Sequence, residues 1–248
     1  GQETLSSAPD SHLKAMGRIY RAGLNDLSPP ALPLLRKLAL AQEKRIHTLI
    51  VNGLDEAFVH GGQSALLAAA PAEIMQGLRT LQELFRAERV LVAVYAQAEE
   101  AVQALQAHTT SEQVQIVPCR AKHPQHKNQL LVSALLDLEY PPESTPEDFG
   151  VSVVTAETLH AVTQCVEHGQ PFINKLITVG GAGVTTPRVA SVRLGTSLQE
   201  VFTFLGIDAS TLGKVILGGP LTGQALFSLD LPVTKDLHVL CVQNREDI

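Results

Sequence analysis

The chain has 248 residues, a net charge of −6 and 45% hydrophobic residues, with no tryptophan. That length suits one large domain or two small ones, and the acidic balance excludes the basic face a nucleic-acid partner would need. The longest apolar runs, such as VLVAV and LLAAAP, fall far short of a bilayer span, so no direct membrane insertion is expected, although the chain could be the arm of a membrane complex.

Cys119, Cys165 and Cys241 lie far apart, with no CxxC. Sequence-adjacent ligands for an iron–sulfur cluster or a structural zinc are therefore missing, and the odd count argues against a disulfide framework. Reduced cysteines in a cytoplasmic protein are the expectation. The chain starts at Gly1 rather than Met and carries no signal pattern, which fits a piece of a longer protein.

Residues 1–20 begin with the polar GQETLSSAPD and are expected to be disordered or frayed. Between Pro30 and Arg45, Leu34, Leu35, Leu38 and Ala41 follow a helical stripe. IHTLIVN (46–52) reads as a buried strand, and His60, Gly61 and Gly62 as a plain connection. PAEIMQGLRTLQELFRAE (71–88) is an amphipathic helix, with Pro71 at a tolerated first-turn position. RVLVAVY (89–95), QVQIVP (113–118) and GVSVV (150–154) read as strands. They alternate with helices at 98–108, 128–138 and 156–168. This rhythm predicts a parallel sheet covered by helices.

After about residue 172 the rhythm changes. INKLITV and RVASVRL are strands joined by GGAGVTT, and TSLQEVFTFLG is a short helix. Ser197 and Glu200 have capping-box spacing, and Gly206 sits where a C-terminal cap belongs. KVILGGP and LHVLCV are later strands. Two strands, a helix and further strands is the order of a β-grasp unit. The Gly180, Gly181 and Gly183 run looks like a phosphate cradle, but the segment after it is a strand. No helix N-terminus faces these glycines, so a hairpin turn is expected there.

Four segments, IHTLIVNG, AEIMQGLRTLQELF, FINKLITVGGAGVTTPRVASVRLGTSLQEVF and LGGPLTGQALFSLDLPVTK, resemble RnfC, the peripheral subunit of Rnf ion-pumping electron-transfer complexes. The same core occurs in the propanediol-utilisation cobalamin reductase and the NADH-oxidising flavoprotein subunit of complex I. The resemblance spans roughly residues 20 to 242. It implies an α/β architecture: a Rossmann-like FMN and NADH domain over residues 21–170, then a soluble-ligand-binding β-grasp domain over 171–248. It also implies partners among the other subunits of an electron-transfer complex, and a cytoplasmic place peripheral to the membrane.

The resemblance places cofactor chemistry on four loops, and this chain departs from the pattern at each. Where the family has GxGGAGFPT, it reads AGLNDLSPPALPLL. Gly23 remains, but Leu27, Ser28, Pro29 and Pro30 replace glycines, and proline has no N–H for a phosphate. NAxExEP becomes NGLDEAF, which keeps Asn52 and Asp55 but puts Ala57 and Phe58 at the second acid and the proline. PxGGEKQ becomes PQHKNQ, with His126, Lys127 and Asn128 at the glycines and acid. Thr155 replaces the Asn of an Asn-Val-x-Thr turn. Asn52, Asp55 and Thr155 are the residues left to contact FMN if a flavin site survives.

Other chemistry is weakly signalled. Cys119, His123 and His126 form C-x3-H-x2-H without a fourth ligand. Asp55 and Glu56 point opposite ways in an extended segment, and Ser197 lacks a nucleophile context. No catalytic residue and no metal is expected. Three functions remain open: an RnfC-like subunit or domain with an eroded flavin site and a docking role; an active FMN-dependent NADH oxidoreductase subunit; and a small-ligand-binding β-grasp module.

Overall fold

The computed structural model describes residues 8–28, 31–55, 61–141 and 143–245. Pro29, Pro30, Glu56, Ala57, Phe58 and His60, singled out above, lie outside the described residues. The first part of the chain runs α1 (Ala8–Ala22), β1 (Asn25–Asp26), β2 (Leu32–Pro33), α2 (Leu34–Lys44), β3 (Thr48–Asn52), α3 (Gly62–Ala69) and α4 (Pro71–Phe85). It continues through β4 (Arg89–Tyr95), α5 (Glu99–His108), β5 (Val114–Cys119), α6 (Asn128–Leu136), β6 (Val151–Thr155) and α7 (Ala156–Val166).

Strands β5, β4, β3 and β6 form one sheet in that order, and every pairing is parallel. All five residues of β3 and of β6 are buried, as a sheet covered on both faces requires. Alternate side chains serve opposite cores. Leu49 and Val51 pack with Leu78, Leu81 and Leu159 on one face, and Ile50 packs with Leu91, Leu131 and Val132 on the other. On the first face α4 meets α7 closely because residue 77 is glycine; a Cβ there would collide with the Leu159 carbonyl.

The second part holds β7 (Asn174–Gly180), β8 (Arg188–Arg193), α8 (Leu198–Leu205), β9 (Leu212–Leu217), β10 (Gln224–Ala225) and β11 (Val239–Asn244). Its sheet order is β10-β9-β11-β7-β8. The last strand, β11, lies in the middle, parallel to β7 and antiparallel to β9. α8 lays Leu198, Val201 and Phe202 into a core with Ile177, Val215 and Leu240. The second part is thus a separate mixed sheet with one helix packed on it. Ser197 and Glu200 form a reciprocal capping box, and Gly206 ends the helix at φ +69°.

β7 and β8 pair antiparallel up to Val179 and Arg188, so residues 180–187 are a hairpin turn. Its glycines answer to packing. Gly181 has φ +116°, and a Cβ on it would run into the Val242 carbonyl; one on Gly183 would lie 2.8 Å from Leu212 Cδ2. The Gly183 N–H donates to Val242 O at 2.9 Å.

Two expectations need correction. Residues 8–20 are not frayed: they belong to α1, whose Ala15 and Ile19 are buried in the main core. The amphipathic spacing of those apolar residues outweighs the polar start. Gly61 and Gly62 are not plain connection either, because Gly62 opens α3.

Candidate cofactor cleft

The C-terminal ends of β3 and β6 face the second sheet across a cleft, the place where open parallel sheets usually bind ligands. Asn52, Asp55 and Thr155 all line it, with Leu176, Thr178 and His238 opposite. The three residues picked from the sequence are therefore brought together, and each already has a full set of partners inside the chain.

Asn52 donates through Nδ2 to His126 O at 2.8 Å and to Asn128 Oδ1 at 2.9 Å, and its Oδ1 accepts from the Leu54 N–H. It ties the end of β3 to the 126–128 loop. Asp55 is buried and caps α3 from outside the helix. Its Oδ1 accepts from Gln63 N at 2.6 Å; its Oδ2 accepts from Ser64 Oγ at 2.6 Å and from Ser64 N at 3.3 Å. These are donors the first turn of a helix leaves unmet, and a carboxylate there is favoured by the helix dipole. Tyr95 donates its hydroxyl to Asp55 O at 2.8 Å. Burial, reinforced by the Asp55 charge, pushes the Tyr95 pKa up to about 12.

Thr155 is the N-cap of α7, accepting from Thr158 N at 3.1 Å. The preceding N–H, of Glu157, donates to Gln63 Oε1 at 3.2 Å. The first loop is fastened to the same helix end. Leu27 N donates to Thr158 Oγ1 at 2.9 Å, and Thr158 Oγ1 donates to Asp26 Oδ1 at 3.2 Å. Asp26 also accepts from Ser28 Oγ and pairs with Lys37 at 2.6 Å. Lys37 donates in turn to Val153 O.

A buried charge cluster closes the far wall. Lys175, fully buried on β7, donates to Glu157 Oε2 at 2.5 Å and to Leu176 O, with His238 Nδ1 at 3.0 Å. Glu157 Oε1 accepts from Leu176 N at 2.8 Å. Burial would raise the Glu157 pKa, but the Lys175 ammonium, with help from His238, holds it well below the usual carboxylate range. Burial lowers the Lys175 pKa, and Glu157 offsets only part of that. Asp26, Glu157, Lys175 and His238 were not found by sequence reasoning. The one available signal was Lys175 itself, a lone charge in the apolar run INKLITV.

No group of three His, Cys, Asp or Glu among the described residues could hold an ion. Cys119 is buried, and burial raises its thiol pKa.

The arrangement of a parallel sheet with a cleft at its C-terminal edge, joined to a small mixed sheet, recurs in solved structures. The NAD+-reducing [NiFe]-hydrogenase has it in both its H2-reduced and air-oxidised structures. Each superposes with a TM-score of 0.77, at 19% and 20% identity, over 96% and 97% of this chain and 48% of the other. The family model described as the Nuo51 FMN-binding domain matches residues 19–164, and the chain belongs to that family.

Its relatives are RnfC-like. The C subunit of the ion-translocating oxidoreductase complex of Pseudomonas aeruginosa is 29% identical over 93% of this chain and 30% of its own length. The C subunit of the proton-translocating ferredoxin:NAD(+) oxidoreductase complex of Clostridium ljungdahlii is 27% identical, over 94% of this chain and 51% of that protein. Its counterpart in the Na(+)-translocating ferredoxin:NAD(+) oxidoreductase complex of Acetobacterium woodii is 26% identical, over 96% and 54%. The chain thus spans between about a third and about half of these relatives. Among the described residues no helix is long and apolar enough to cross a membrane.

Proposed function

We propose that this chain is an RnfC-type subunit, or part of one, in an ion-translocating electron-transfer complex, that it has lost its flavin site, and that it serves as a docking element. One observation carries the reading: backbone N–H groups lining the cleft, which a bound phosphate could otherwise use, are accepted inside the chain. The Leu27 N–H goes to Thr158, the Thr158 N–H to Thr155, the Glu157 N–H to Gln63 and the Gln63 N–H to Asp55. At Pro29 and Pro30 no N–H exists.

The residues present do not fit FMN. The cleft offers about 180 Å³, below the roughly 300–1,000 Å³ of an ordinary cofactor pocket. Charge-assisted hydrogen bonds to a phosphate contribute about 1.5–3 kcal/mol each. Losing two weakens binding about a hundredfold or more. The family's core packing is kept while its cradle is not, which favours attachment to partner subunits over redox chemistry in this segment.

The test is the absorption spectrum of the purified protein, followed by FMN titration monitored through flavin fluorescence. A colourless protein with no saturable binding is expected. Sub-micromolar FMN binding with NADH-driven bleaching of the flavin would restore the oxidoreductase reading.

A further inference from the structure

The orientable polar groups of the cleft can be fixed one by one from partners that can play only one role. Gln63 receives the backbone N–H of Glu157, so Oε1 faces the protein and the Nε2 amide is left over. Asn52 receives the backbone N–H of Leu54, so its Nδ2 faces Asn128. Asn128 must then present Oδ1, which leaves its own Nδ2 over. His238 Nδ1 faces the Lys175 ammonium at 3.0 Å and Glu157 Oε2 at 3.7 Å, which turns Nε2 away from that cluster. That Nε2 is shut off from water and finds no acceptor among the described residues. Lys127, on the rim, has no ion-pair partner among them.

Acceptors are in the opposite position. Both Asp55 oxygens are spent on α3, and both Glu157 oxygens on Lys175 and Leu176 N. Among the described residues the cleft therefore holds surplus donors and one cation without an ion-pair partner, with Leu27, Leu54, Leu176 and Val239 as apolar wall. His238 Nε2 is the buried donor, and one left without a partner costs about 1–3 kcal/mol; the spare amides of Gln63 and Asn128 are half-buried, so an acceptor-bearing ligand is selected over a donor-bearing one. The Asp55 charge, which opposes an anion, is turned toward the α3 N-terminus.

We propose that this cleft binds a small organic carboxylate with a short apolar body. The proposal rests on the reading that FMN does not occupy the cleft. The carboxylate meets the side-chain amides of Gln63 and Asn128 and the Lys127 ammonium, and its body lies on the leucines. The volume of about 180 Å³ admits a benzoate-sized molecule and no dinucleotide.

The test is an amide-resolved NMR titration of the 15N-labelled chain with sodium benzoate, isovalerate and acetate, with benzylamine as the cationic counterpart of benzoate, and with FMN. Saturable shifts confined to residues 52–55, 62–63, 126–128 and 176–178 are expected with benzoate and absent with benzylamine. Gln63→Glu and Asn128→Asp each keep the oxygen the protein needs and replace the spare donor by negative charge. Each should weaken benzoate at least tenfold, with an unchanged far-UV spectrum. If no carboxylate shifts these residues, if benzylamine binds equally, or if both variants bind like the parent, the proposal is overturned. Sub-micromolar FMN binding at the same residues would instead overturn the functional reading beneath it.

Discussion

Lys175 Nζ lies 2.5 Å from Glu157 Oε2, and this pair joins the two sheets of the molecule through a wholly buried ammonium. Glu157 stands in the first turn of α7 and Lys175 on β7, so neither sheet satisfies its own charge. Burying such a pair contributes little net stability, but removing one partner strands the other. Lys175→Ala should cost about 3–5 kcal/mol, and Lys175→Met with Glu157→Gln should recover a large part of that. Urea-denaturation midpoints of the two proteins check this; equal losses in both would contradict it.

The same pair sets an acid limb. The Glu157 pKa is depressed in the folded state, so its contribution is fully present above the unfolded carboxylate value near 4.5 and is lost as pH falls toward about 2. Unfolding free energy between those limits should fall more steeply for the parent than for Glu157→Gln. Parallel pH profiles would show that the carboxylate is not held by Lys175.

Asp55→Ala should act locally, because Asp55 serves α3 alone. Capping losses run to about 0.5–2 kcal/mol. Amide exchange at Gln63 and Ser64 should speed up while that of β3 and β6 stays protected, and FMN titration should be no weaker than before. Global loss of protection would assign Asp55 a wider role.

Glycines 181 and 206 separate backbone conformation from packing. Both have positive φ, but a Cβ on Gly206 meets nothing within 4 Å, whereas one on Gly181 meets the Val242 carbonyl. Gly206→Ala should cost about 1 kcal/mol, as a left-handed cap does. Gly181→Ala adds a clash worth about 1–3 kcal/mol more. Similar denaturation midpoints for the two variants would refute the packing account of the GGAG run.

The features legible in the sequence were those that depend on neighbours in the chain. β3, β4 and β6 are short apolar runs bounded by polar residues. Ser197 and Glu200 announce α8 at capping-box spacing, and the change of rhythm near residue 172 marks a second sheet. The features that stayed hidden depend on distant partners. α3 begins with a glycine and has no cap of its own, because the cap is Asp55, outside the local capping pattern. Lys175 finds Glu157 across the junction of the sheets, 18 residues away. The resemblance directed attention to missing glycines in the first loop, while Asp26 and Thr158 hold that loop from 132 residues apart. Asn52, Asp55 and Thr155 line one cleft, yet their bonds are internal, which no spacing rule reveals.

Thr158→Val tests whether the first loop is held by the chain or by a ligand. Thr158 Oγ1 accepts from Leu27 N, donates to Asp26 Oδ1 and lies 2.9 Å from Thr155 Oγ1. Valine keeps the shape and leaves the buried Leu27 N–H without an acceptor, a loss of about 1–3 kcal/mol. For a chain of this size each kcal/mol lowers Tm by about 2–4 °C, so a drop of roughly 2–12 °C is expected. A ligand that bound the folded state would raise Tm in proportion to its occupancy. Excess FMN should therefore leave both the parent and Thr158→Val unmoved in thermal unfolding. If FMN returns the variant to the parental Tm, the loop is a working phosphate site, and the internal bonds to Thr158 stand in for the cofactor only in its absence.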